Sequence, residues 1–196
     1  MYQVEALTND RLREEVGKLP LRVAPEDRPY GHNASVIMAP FTHPNPLGSR
    51  FGDGTYGVFY AGETLATAIA ETRHHRALFM ARTNEPKMEL DMRVYTAALD
   101  GSLVDIRGKR TKMRQVYDPD SYRASQAFAR PLRERRAFGI VYDSVRLLEG
   151  RCVAVFRPSV LSRCREDRHL AYIWDGTSIV DVYEKRPLRR ATSQRE

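Results

Sequence analysis

The stretch SRFGDGTYGVFYAGETLATAIAET, Ser49 to Thr72, reads as a turn, a strand and a helix in immediate succession. Arg50 lies among Gly48, Gly52, Gly54 and Gly57, where a backbone free of Cβ atoms can approach a ligand closely. Val58, Phe59, Tyr60 and Ala61 form a short apolar run that predicts a buried strand, and Gly62 breaks it. Glu63-Thr64 opens a helix in which Leu65, Ala68 and Ile69 share a face, with Glu71 on its last clear turn beside that stripe. A guanidinium, a phenol and a carboxylate gathered at one strand-to-helix corner suit a ligand that carries both phosphates and a glycosidic bond.

Outward from that corner, the chain reads as one domain over 1–196 with no internal repeat and no low-complexity linker. Residues 1–19 are expected to form a short amphipathic helix ended by Pro20, followed by a strand at Leu21 to Val23. Ser35 to Met38 is expected as a strand, and Pro40 to Pro46 as extended or turning chain. Met88 to Leu99 alternates as a strand should, and Asp100-Gly101 reads as a hairpin turn returning Leu103 and Ile106 against it. A helix is expected from Ser121 to Arg136, its second half disturbed by Pro131. Strands follow at Gly139 to Tyr142, Cys152 to Phe156, His169 to Trp174 and Ser178 to Tyr183, the last two joined through Gly176. Short strands outnumber helices and do not alternate with them, which predicts an α+β fold and excludes a doubly wound parallel sheet.

Composition narrows the chemistry. No apolar run approaches the ~20 residues of a spanning helix, so no membrane partner is expected. The N-terminus carries acidic residues and no apolar core, so it does not read as a signal peptide, and a cytoplasmic location is expected. There is no GxSxG elbow, no Walker A loop, no GxGxxG, no CxxC and no HExxH. Cys152 reads as a small core residue, and His74-His75 as a solvated helix end, so no metal is expected. The net charge of +7 calls for an anionic partner, and basic residues cluster at 107–112, 130–136 and in the tail 185–196. A basic nucleic-acid or protein-binding module is one reading of them, although aromatics are not interleaved as single-strand binders require.

The Arg–Tyr–Glu arrangement resembles the RES-domain proteins, toxins of bacterial toxin–antitoxin modules named for an arginine, a glutamate and a serine. Ser49-Arg50-Phe51 matches the family's arginine turn, Phe59-Tyr60-Ala61 its strand, and Ile69-Ala70-Glu71 its helix. Tyr60 follows Arg50 by ten positions and Glu71 follows Tyr60 by eleven. The family's serine segment resembles Gly139 to Arg146, which makes Ser144 the candidate, with Ser125 and Ser159 as rivals. Phe51 and Gly52 depart from the tryptophan and asparagine common after that arginine. The resemblance covers about residues 20–160 and leaves the 1–19 segment and the 185–196 tail outside it.

The resemblance implies an ADP-ribosyltransferase-like fold, a split core of short strands with flanking helices. It also implies NAD⁺ as substrate with no bound cofactor, and a separate Xre-like antitoxin that occupies the active site, nucleic acid entering only through that antitoxin. The activity implied is cleavage of the nicotinamide–ribose bond by hydrolysis or phosphorolysis, with mono-ADP-ribosylation of a target protein as the alternative. Such cleavage passes through an oxocarbenium-like state that a carboxylate stabilises, the part expected of Glu71. Arg50 is expected to clamp a phosphate through its forked donors, Tyr60 to offer a ring face to nicotinamide, and Ser144 to hydrogen-bond the ligand. Arg22 and Arg146 are further candidates for phosphate contacts.

Overall fold

In the computed structural model, residues 1–6 and 23–187 are described, with side chains for 1–3 and 23–187. The strands are β1 (Tyr2–Ala6), β2 (Phe59–Gly62), β3 (Met88–Leu99), β4 (Val104–Asp105), β5 (Gly139–Asp143), β6 (Arg151–Val155), β7 (Leu161–Trp174) and β8 (Ile179–Lys185). Three α-helices accompany them among the described residues: α1 (Ala34–Thr42), α2 (Leu65–Thr83) and α3 (Arg123–Glu134).

The strands order as β4-β5-β6-β2-β1-β3-β7-β8. Two four-stranded halves meet at β2 and β1, where the register is carried by Tyr2 opposite Gly62. This split, with helices set around it, is an α+β architecture. β3 and β7 run to 12 and 14 residues and carry register shifts that bend them.

Side-chain alternation along β2, β5 and β6 divides the core. Phe59, Ala61, Val153 and Val155 face one cluster with Ile37, Phe41 and Tyr95. Ile140, Tyr142, Cys152 and Ala154 face another, with Phe51, Ile106 and Ala129, and Tyr60 packs against it. The candidate residues lie on this second face. Asp27, 6% exposed, ties the chain before α1 to the segment after β6: it accepts from Arg157 Nε and Nη2 and from Ser159 Oγ.

Several expectations are corrected. Tyr2–Ala6 is not the start of a helix but β1, inserted antiparallel beside β3 with Tyr2 opposite Thr96 and Ala6 opposite Met92. The remainder of the expected 1–19 helix, Leu21 and the candidate Arg22 lie outside the described residues, and Val23 sits in a bend. Ser35 to Met38 is helix, part of α1, and Pro40 lies inside that helix. The Asp100-Gly101 hairpin does not form. Asp100 N donates to Val160 O, and β4 runs on to pair in parallel with β5, Val104 opposite Ile140. The motif helix does not stop near Glu71: α2 continues to Thr83 and ends at Asn84 in the left-handed region, which places His74 and His75 in mid-helix.

Candidate active site

The site begins at the corner between β2 and α2. Gly62 ends β2, and a Cβ there would lie 2.6 Å from Ala68 N, so glycine permits the helix to start tight against the strand. Thr64 caps α2, its side chain accepting from Thr67 N. The first two turns of α2 carry Glu71 back over the face that presents Tyr142 and Cys152, which lie opposite each other on β5 and β6.

Ser144, immediately beyond β5 and fully buried, donates from Oγ to Glu71 Oε1 at 2.6 Å. The same Oγ accepts from Arg146 N at 3.1 Å and Leu147 N at 3.0 Å. A hydroxyl has one donor and two acceptor positions, so all three are in use. Ser144 therefore orients Glu71 and leaves no position of its own for a ligand. Cys152 Sγ approaches the same Oε1 at 3.8 Å. Burial, and then the Glu71 charge, push the Cys152 thiol well above its ordinary range and keep it protonated. Among the serine rivals, Ser125 donates to Tyr122 O within α3 and Ser159 to Asp27, each away from Glu71.

Arg50 is 6% exposed, and its Nη1 donates to Val116 O at 3.1 Å and Asp118 O at 2.9 Å. The guanidinium packs over the Tyr122 ring, 4.9 Å from its centroid. The Tyr60 hydroxyl braces the turn that delivers it. It accepts from Phe51 N at 2.9 Å and shares a hydrogen bond with Ser49 Oγ at 2.9 Å. Burial raises the Tyr60 phenol, which stays neutral.

A strap, residues 106–122, runs alongside these groups, with Val116 and Tyr117 packed into the same cluster as Tyr142 and Cys152. Besides Arg50, it is held by Arg146 Nη2 donating to Pro119 O at 2.6 Å, and by Arg110, which donates to Ser144 O. Tyr117 OH donates to Ile106 O within it. Arg50 and Arg146, two of the arginines expected to meet phosphates, thus hold main-chain carbonyls of the strap. Two cavities, about 540 Å³ and about 910 Å³, are lined without Glu71 or Ser144; the larger shares Val116 and Asp118 with the Arg50 anchor.

His74 and His75 follow Glu71 by three and four positions, so all three project from neighbouring parts of α2. Desolvation and then Arg146 push both imidazoles down to about 4, His75 with a further contribution from Arg50. His75 is the more exposed of the two, so water screens the arginine charges on it more than on His74. At neutral pH both are uncharged. Sequence reasoning read Cys152 as a small core residue, which its burial bears out, and His75 as a helix-end residue, but set neither beside Glu71; it missed Tyr142 and the strap. The i+4 spacing from Glu71 pointed to His75 once the helix was long enough, whereas Cys152 needed the strand register.

Arg50, Tyr60, Glu71 and Ser144 are therefore assembled at one corner. The RES domain family model matches residues 20–175, and the chain belongs to the RES domain family. It is 30% identical over 183 residues to the uncharacterized protein y4oC of Sinorhizobium fredii (strain NBRC 101917 / NGR234), across 93% of this chain and 75% of that protein. Its fold is similar to that of a chain in the M. tuberculosis MbcT–MbcA toxin–antitoxin complex. There the TM-score is 0.53 at 11% identity, covering 87% of this chain and 81% of that one. No helix among the described residues is long and apolar enough to cross a membrane.

Proposed function

We propose that this protein is the toxin of a bacterial toxin–antitoxin pair and acts in the cytoplasm by consuming NAD⁺ at the nicotinamide–ribose bond. The observation that carries this reading is the Ser144–Glu71 hydrogen bond beside the Arg50 turn, in a chain of the RES domain family. With Oε1 fixed by Ser144 and Cys152, the carboxylate is oriented before substrate arrives. Its other oxygen serves a ribose hydroxyl while the charge opposes the oxocarbenium that develops as nicotinamide leaves. Arg50 and Arg146 exchange strap carbonyls for pyrophosphate oxygens, a gain because an ionised acceptor adds its charge to bonds whose donor is already charged and allows a bidentate pairing. The Tyr60 ring lies beside the nicotinamide, and a separate antitoxin covers the corner in the resting cell.

The test is NAD⁺ consumption by purified protein, with Glu71→Gln in parallel. Turnover is expected to fall on the order of 10²–10³-fold in the variant with folding retained. Wild type is expected to arrest a bacterial host and deplete its NAD⁺, and the variant to do neither. An active, folded Glu71→Gln protein removes the carboxylate from the mechanism. Arrest with an intact NAD⁺ pool redirects it to a protein acceptor.

A further inference from the structure

The cleft of about 910 Å³ lies between residues 112–118 of the strap and the first turns of α3. Lys112, Arg114 and Arg123 line it, and none of these three side chains makes a hydrogen bond or ion pair with another described residue. This sets them apart from most of the protein's well-placed cations: Arg107 pairs with Asp105, Arg130 with Asp53, Arg157 with Asp27 and Lys185 with Glu89. The floor is apolar and shallow, formed by Met113, Val116, Ala124 and Ala127. One carboxylate, Asp118, also lies on the wall. It accepts from Asp120 N and Ser121 N, which hold it below the ordinary carboxylate range and hence charged. Three cations against one anion leave a net charge near +2 in a space of small-ligand size.

We propose that this cleft is a second anion site, distinct from the Glu71 corner, that takes a phosphate-bearing small molecule, a nucleotide or an inorganic polyphosphate. Two guanidinium forks and an ammonium match several phosphoryl oxygens at once, where a lone carboxylate would engage one fork. Val116 and Asp118 line the cleft and also supply the two carbonyls that hold Arg50. A ligand seated there therefore bears on the same stretch of strap whose carbonyls hold Arg50.

The site is independent of what Glu71 does, and its test needs no turnover. Inorganic triphosphate and ATP are titrated calorimetrically into the full chain carrying Glu71→Gln, with and without Arg114→Ser and Arg123→Ser. These arginines are exposed, so folding is expected to survive and is checked by circular dichroism. One saturable site is expected, weakened at least about 10-fold by each substitution, as loss of a charged hydrogen bond requires. Equal binding of the two probes assigns the polyphosphate chain as the ligand, and tighter ATP binding assigns a nucleotide whose base covers Met113 and Val116. Lys112→Ser is expected to weaken both in the same direction. Absence of saturable binding, unchanged affinity in both arginine variants, or displacement of triphosphate by saturating NAD⁺ overturns the proposal, the last because the cleft would then belong to the substrate site.

Discussion

Ser144 Oγ donates to Glu71 Oε1 at 2.6 Å across 73 residues of sequence, and it does so while accepting from two backbone amides of its own loop. The hydroxyl is thus a coupling between the loop after β5 and the carboxylate on α2. Ser144→Ala is expected to leave the Arg146 and Leu147 N–H groups short of an acceptor, lowering stability by about 1–3 kcal/mol. It is also expected to lower NAD⁺ turnover by ~10²-fold through misorientation of Glu71, with substrate affinity little changed. Urea unfolding and steady-state kinetics measure the two effects. A large loss of affinity with turnover intact would instead place Ser144 against the ligand.

Tyr60 is coupled to Arg50 through the turn between them. Removing its hydroxyl in Tyr60→Phe strips the acceptor from Phe51 N and a partner from Ser49. The expected cost is about 1–3 kcal/mol of unfolding free energy, with the ring face preserved. If the ring alone serves the nicotinamide, the variant keeps affinity once it is folded. A drop in affinity with unchanged stability would show that the hydroxyl itself meets substrate.

The corner was legible in sequence because its parts are local. Arg50, Tyr60 and Glu71 sit on a turn, a strand and a helix that follow each other without interruption, and glycine and threonine mark each junction. The pieces that failed are those decided by distant partners. ASVIMAPF is apolar and β-branched at Val36 and Ile37, and a short run of that kind does not distinguish strand from helix. Gly101 reads as a turn residue, yet its service is close packing: a Cβ there would lie 2.5 Å from Val160 Cγ1. β1 acquires its identity from β3, and no periodicity in five residues announces that pairing. The strap was invisible for the same reason, since its anchors are main-chain carbonyls that any residue provides.

Arg50→Lys isolates the fork from the charge. The lysine ammonium keeps the positive charge but lacks the planar guanidinium that packs over Tyr122 and that, with Nη1 serving both Val116 O and Asp118 O, keeps Nη2 as a further donor. Affinity for NAD⁺, titrated in the Glu71→Gln background, is expected to fall on the order of 10-fold. Faster amide exchange in residues 113–118 is expected alongside, because the strap loses its buried anchor. Unchanged affinity would transfer the phosphate contact to Arg146.

The paired histidines give the corner a pH signature. His74 and His75 both lie well below the ordinary value of 6.5, at about 4, because desolvation and the Arg146 charge oppose protonation. Between those values the unfolded chain binds protons that the folded chain refuses. Stability therefore falls as pH falls from about 6.5 to about 4, and it is regained as pH rises. Asp27 behaves differently: Arg157 and Ser159 outweigh its burial and depress its pKa, so its contribution is lost only below the ordinary 3.8. The two groups thus act in separate windows. Replacing both histidines by glutamine is expected to flatten the fall in urea midpoint between pH 6.5 and 4 without altering the collapse below it, the more so for His74 because His75 remains open to water. Midpoints measured at half-unit pH steps make the comparison. A variant whose profile retains the wild-type slope through that window would show that neither burial nor the Arg146 charge shifts the imidazoles.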